Sequence, residues 1–197
     1  MTGLLTRWRA ARELRRRAES YMRTLRQEPN AADVDWLARH GTRGDADRAR
    51  WELRYARMAL GRLAAQRDAM DDSTAAAVAR RIGDFFARDP DVAGDRRAVA
   101  ERQFNDRLAA YADAIEARST GGSSPTRIRL ARVLLGFAAG ANAGDGRTRP
   151  AEPLPAETHV AGIVGAYLEE ANEALRRDFG AATLPDDIPP SAAGGQG

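Results

Sequence analysis

Residues 45–70 read DADRARWELRYARMALGRLAAQRDAM. Apolar side chains recur in two registers along this stretch. Ala49, Leu53, Ala56, Leu60, Leu63 and Ala64 share one face at helical spacing. Trp51, Tyr55, Met58 and Ala65 share a second, nearly opposite face, and charged residues separate the two. A surface helix of a globular protein carries a single apolar stripe. A helix with two is either sandwiched among neighbours, or it turns its second face to a partner. Asp45 or Asp47 opens this helix by capping it.

The rest of the chain supplies neighbours. From Thr2 to Gln27, the residues Leu4, Trp8, Ala11, Leu14, Ala18, Tyr21, Met22 and Leu25 fall within an arc of roughly 140° at 100° per residue. Arg9, Arg12, Arg16, Arg17 and Arg23 lie mostly opposite, and Pro29 ends the helix. Asn30 caps a short helix, Ala31 to His40, that stops at Gly41. Downstream, Ser73 caps a helix with Ala75, Val78, Ile82 and Phe85 inward, broken at Asp89-Pro90. The next helix runs to about Arg118, with Phe104, Leu108, Tyr111 and Ile115 at alternating spacings of four and three. Arg127 to Asn142 is apolar nearly all round, so it is expected to be the central helix. Its Gly136 and Gly140 would let a neighbour approach closely, and a leucine at 136 would overpack that contact. A last helix runs from about Glu157 to Phe179, with Val160, Ile163, Val164, Tyr167, Leu168, Ala171 and Leu175 on one face.

No segment alternates apolar and polar residues as a strand would. The expected fold is therefore all-α. It is a single-domain antiparallel helical bundle of six to seven helices over residues 1–179, with the sixth and seventh at its centre. Residues 180–197 are rich in Pro, Gly, Ala and Asp and are expected to form a disordered C-terminal tail.

Composition narrows the function classes. Among 197 residues, 43% are apolar and 30% charged, which is ordinary for a soluble domain. There is no cysteine, so disulfides, thiolate metal sites and cysteine nucleophiles are excluded. All 31 basic residues are arginine, set against 28 acids, and the net charge is only +3. Arginine is always charged and grips carboxylates and phosphates with a rigid fork of donors. The same bias is also the mark of a GC-rich genome. Ile128 to Ala141 is the most apolar stretch, about 14 residues interrupted by Arg129 and Arg132. A membrane span needs about 20. With no signal-like start either, the expected setting is cytoplasmic, with no membrane span.

Three places are candidates for contact with a partner. The first is the second face of the 45–70 helix: Trp51, Arg54, Tyr55, Met58 and Arg62. Aromatic and arginine clusters are favoured in protein interfaces. The second is the arginine face of helix one, where Arg9, Arg12, Arg16 and Arg23 could meet a polyanion, although Glu13 and Glu19 interleave with them. The third is the helix start at Ser123, Ser124, Thr126 and Arg127, where free amides and the dipole suit an anion. The two histidines, His40 and His159, belong to no Glu-x-x-His pair, so no metal, cofactor or catalytic residue is expected. The leading function is a non-enzymatic adaptor or assembly subunit that binds another protein or itself. Binding of nucleic acid or another acidic surface through helix one is second. An enzyme or small-ligand binder with a pocket between helices is third.

Overall fold

A computed structural model describes residues 2–68, 72–89, 92, 94–117, 125–140 and 154–180, with side chains from Thr6 onward. Its helices are α1 (Thr2–Leu25), α2 (Ala31–His40), α3 (Ala46–Asp68), α4 (Asp72–Arg88), α5 (Arg97–Glu116), α6 (Thr126–Ala139) and α7 (Pro155–Phe179). One 3-10 turn, Gly94–Arg96, leads into α5. The described residues hold no strand, and the protein is an all-α helical bundle. Of the tail expected over residues 180–197, all but Gly180 lies outside the described residues.

Local chemistry sets the helix ends. Asn30 accepts a hydrogen bond from the Ala32 amide at 2.9 Å, the expected cap of α2. Asp45 does the same for α3 through the Arg48 amide, also at 2.9 Å. Gly140 ends α6 with φ at 85°, a left-handed turn that favours glycine, and its amide returns to Phe137 O. That stop comes two residues before the expected end at Asn142.

The centre of the bundle is α3, not α6. Helix α3 packs against every one of the other six helices. Its first apolar face buries Ala49, Leu53, Ala56, Leu60 and Ala64. Its second face buries Tyr55, Met58 and Ala65. Leu53, Met58 and Leu60 each contribute about 1.5–3 kcal/mol by leaving water. Helix α6 does pack closely on α7, but its Val133, Leu135, Gly136 and Phe137 are only half-buried. An apolar surface all round fits a central helix, yet a helix can also carry that surface partly to the outside.

The glycines correct the expected contact at Gly136. Among the described residues, and apart from the helix's own backbone, no atom lies within 4 Å of where a Cβ on Gly136 would stand. Close approaches are at Gly41, where a Cβ would stand 3.1 Å from the Ala138 Cβ of α6, and at Gly61, where α1 crosses α3. A Cβ there would stand 2.8 Å from Leu25 Cδ1 and 3.1 Å from its Cγ. The Tyr21 hydroxyl donates to Gly61 O at 2.7 Å across the same crossing.

Only the second half of α1 takes part in that crossing. Ala18, Tyr21, Met22 and Leu25 are buried, while Trp8 and Ala11 are exposed and Leu14 is half-buried. The stripe expected to face the core along the whole helix is covered from Ala18 onward only.

The two glycines should respond in opposite directions. Gly136→Ala should raise stability by about 0.4–1 kcal/mol, because it removes backbone freedom from the unfolded chain without a clash. Gly61→Leu should cost about 1–3 kcal/mol or more by overpacking the α1–α3 crossing. Urea unfolding of the two variants tests both, and a destabilised Gly136→Ala would put a neighbour over that glycine. A separate prediction concerns alkali. Burial pushes all four tyrosine phenols above their unfolded value of 10.0, with Tyr55 pushed up to about 12. The folded chain thus holds its phenolic protons more tightly than the unfolded chain. This contribution is complete below pH 10 and is lost as pH rises through the folded values. Absorbance near 295 nm should show no gradual phenolate titration near pH 10. It should rise together with the loss of helical circular dichroism, and a smooth rise in a still-folded protein would contradict the burial.

Candidate functional site

The second face of α3 is built inward. Tyr55 lies against Phe86 and Phe104, with ring centroids 5.9 and 6.4 Å away. Tyr55 and Met58 are inside the bundle, so they form core and are not open to a partner. Trp51 is half-buried at the edge of this cluster, 5.5 Å from the Tyr55 ring. Arg54 lies 4.5 Å over the Trp51 ring and 5.5 Å over Phe85, and donates to Asp89 Oδ2 at 2.9 Å. Its guanidinium joins α3 to the end of α4 and is already engaged there. Arg62 is half-buried on the same helix. Sequence spacing groups these five correctly on one face, but the face closes on α4 and α5.

Charges inside α3 make this possible. Glu52 is buried, and Arg107 of α5 reaches it with two donors: Nε bonds Oε2 at 2.6 Å and Nη2 bonds Oε1. Arg107 also lies 4.9 Å over the Tyr55 ring and 4.4 Å over the Phe137 ring, and donates to Gln103 O at 2.9 Å. Three helices meet at this one side chain. Further along α3, Arg57 is buried over the Tyr167 ring at 4.3 Å and donates to Gln27 O at 2.7 Å. A planar, delocalised cation suits both contacts. In α6, Arg132 bonds the buried Glu157 at 3.0 and 3.1 Å, and Glu157 also accepts from the Leu154 amide at 3.2 Å. Sequence spacing does not reveal these pairs, because each charge alone reads as surface.

Helix α1 is the opposite case. Arg9, Arg12, Arg16 and Arg23 are all exposed, as the arginine face requires. Two of its arginines are drawn to one acid. Arg16 and Arg17 bond Glu13 at 2.9 and 3.0 Å, and these hydrogen bonds lower the Glu13 carboxyl to about 2. Exposed pairs of this kind contribute little to stability. Arg12 lies 5.6 Å over the Trp8 ring, and Arg23 donates to Ser20 Oγ at 3.1 Å.

At the start of α6, Ser123 and Ser124 lie outside the described residues. Thr126 Oγ1 accepts from Arg129 at 3.0 Å, and Arg127 donates to Glu169 at 2.8 Å. The two described members of the expected anion set are therefore each engaged within the fold.

The histidines meet in a way that spacing does not announce. Trp36 of α2 is stacked between His40 and His159, with centroids 4.4 and 4.2 Å away. His40 is four residues on in the same helix, and its Nδ1 lies 2.9 Å from Trp36 O, while His159 comes from α7. Both histidines are exposed. Among the described residues no group of three or more His, Asp or Glu side chains is placed to hold a metal. No helix among them is long and apolar enough to cross a membrane.

The fold and these places define an all-α bundle in which several arginines pair inside the protein and others, among them those of the first half of α1, are exposed. Comparisons with protein-family models, curated proteins and solved structures match nothing to this chain.

The buried pair makes a sharp prediction. Glu52→Ala should cost about 3–5 kcal/mol, because it strands the Arg107 charge inside the protein. The double change Glu52→Leu with Arg107→Met should recover most of that loss, since it removes both charges. Thermal unfolding of the two variants checks this, and equal losses in both would mean that packing, not charge, sets the cost.

Proposed function

We propose that this protein is a non-enzymatic assembly subunit that presents the first half of α1 to an acidic groove on another protein. One observation carries the reading. The apolar stripe of α1 continues past the bundle, and Trp8 on that stripe is 61% exposed. Trp8, Ala11 and Leu14 follow one another at helical spacing, the pattern of an amphipathic helix laid into a groove. Exposed tryptophan flanked by arginine is a favoured anchor of protein interfaces. The charge of the partner follows from the sequence. Residues 2–17 hold six arginines against one glutamate, so an acidic surface is favoured and a second copy of the same helix is repelled.

Two features favour a protein over nucleic acid. Phosphates would leave the apolar stripe uncovered, and Glu13 already draws Arg16 and Arg17. Because Trp8 is exposed, it can be changed without disturbing the core.

The test places a photo-crosslinking benzoylphenylalanine at Ala11 in cells that make the protein. The expected result is one discrete protein adduct that an excess of a peptide of residues 2–17 suppresses. With that partner purified, Trp8→Glu should weaken binding by about 2 kcal/mol or more. The change should alter folding stability by no more than about 0.5 kcal/mol. Adducts to nucleic acid alone, or none, would overturn the proposal. In the nucleic-acid case, Arg12→Gln with Arg16→Gln should flatten the dependence of log affinity on log salt by about 0.9 for each lost phosphate contact.

A further inference from the structure

A groove of about 560 Å³ runs between the second half of α1 and the last turn of α7. Five arginines line it: Arg16, Arg17 and Arg23 of α1, and Arg176 and Arg177 of α7. Glu13 and Asp178 are its two acids. The excess of three positive charges equals the net charge of the whole chain, so the remaining residues balance. Both acids are already engaged. Glu13 accepts from Arg16 and Arg17 at 2.9 and 3.0 Å. The Asp178 side chain, only 9% exposed, accepts from Ser20 of α1 at 3.0 Å and from Arg177 at 3.0 Å. Arg177 also donates to Thr24 Oγ1 at 3.3 Å, so the two walls are tied together. Arg23 donates to Ser20 Oγ at 3.1 Å, a neutral acceptor. Among the described residues, neither Arg23 nor Arg176 has an acidic partner.

We propose that this groove binds a compact anion with two or three linked phosphate groups. Guanidiniums grip phosphate oxygens through paired donors, and several can share one phosphate chain. The fold holds five like charges close together, and a multiply charged anion relieves their repulsion. The spacing favours linked phosphates over a single one. Arg16 and Arg23 are two turns apart on α1, about 10 Å along its axis. A lone phosphate does not extend over that span, whereas linked phosphates spread their charge along it. The volume lies within the ~300–1,000 Å³ of ordinary ligand sites. Arg23, Arg176 and Arg177 lie outside the first half of α1, and the groove binds its ligand on the chain alone. It therefore stands independently of the partner protein given to α1.

Isothermal titration calorimetry of the full chain with inorganic tripolyphosphate, at physiological ionic strength, tests the assignment. Saturable one-to-one binding is expected, about tenfold or more tighter than that of orthophosphate. Arg23→Gln with Arg176→Gln removes two exposed charges of the groove. It should weaken tripolyphosphate binding by about tenfold or more and leave the melting temperature unchanged. Arg9→Gln with Arg12→Gln removes the same charge from α1 outside the groove. It should change the affinity by no more than about twofold, because salt screens charges at that remove. ATP then identifies the source of the phosphates. Binding tighter than that of tripolyphosphate assigns the groove to a nucleotide, and equal or weaker binding assigns it to a free oligophosphate; both support it. No saturable binding of tripolyphosphate overturns the proposal. So does an equal loss in the two double variants, which would make net charge and not the groove the cause. Tighter binding of an oligodeoxynucleotide without a terminal phosphate overturns it as well.

Discussion

The arrangement of this bundle turns on the Arg107 guanidinium. It crosses from α5 to bond Glu52 of α3 with two donors while lying against Tyr55 of α3 and Phe137 of α6. Two charges leave water together there, and the cost of that is of the same order as the attraction between them. The pair therefore does little for net stability compared with a hydrophobic replacement. What it does is set position. A planar fork accepts a carboxylate in a narrow range of orientations, so the pair favours the register of α5 on α3 that brings Arg107 to Glu52. The aromatic rings against it then place the third helix.

The same device recurs around the core. Arg54 links α3 to Asp89, Arg57 links α3 to the Tyr167 ring and to Gln27 O, and Arg132 links α6 to Glu157 at the start of α7. Arginine suits each place because its flat face covers aromatic carbon while its edge donates. Alanine is the complement. Ala49, Ala56, Ala59, Ala64 and Ala65 keep the α3 surface thin, so neighbouring helices come close enough for those long side chains to reach across. A chain with few aromatic residues thus builds its interior from aliphatic side chains, alanines, a few rings and paired arginines.

Not every group is satisfied in this way. The first half of α1 keeps its arginines and Trp8 outside the bundle, and the only acid among residues 2–17 is Glu13. Among the described residues, Asn172 Oδ1, Arg57 Nε and Tyr167 Oη are by contrast buried without a hydrogen-bond partner. On α1 the surplus of charge and apolar surface lies in water, and it is that surplus which points outward to something else.

Periodicity and caps make the helices legible in the sequence. Asn30 can be named as a start, and Asp45 or Asp47 as another, because a side-chain oxygen beside a free amide is a local arrangement; the structure uses Asp45. The all-α class follows for the same reason, since the 3.6-residue repeat is written within each segment. The two apolar faces of α3 are also visible, and so is the grouping of Trp51, Arg54, Tyr55 and Met58. Which faces are covered is not visible. Glu52 and Arg107 are 55 residues apart, Arg54 and Asp89 are 35 apart, and Arg132 and Glu157 are 25 apart. Each charge alone reads as solvated, and α3 therefore looks more polar than the apolar α6. The open space at Gly136, the stacking of Trp36 between two histidines and the unmet oxygen of Asn172 are likewise relations between elements. The sequence by itself determined where the helices lie and which side chains share a face. Only the tertiary structure decided which faces meet, because burial and pairing depend on neighbours that are distant along the chain.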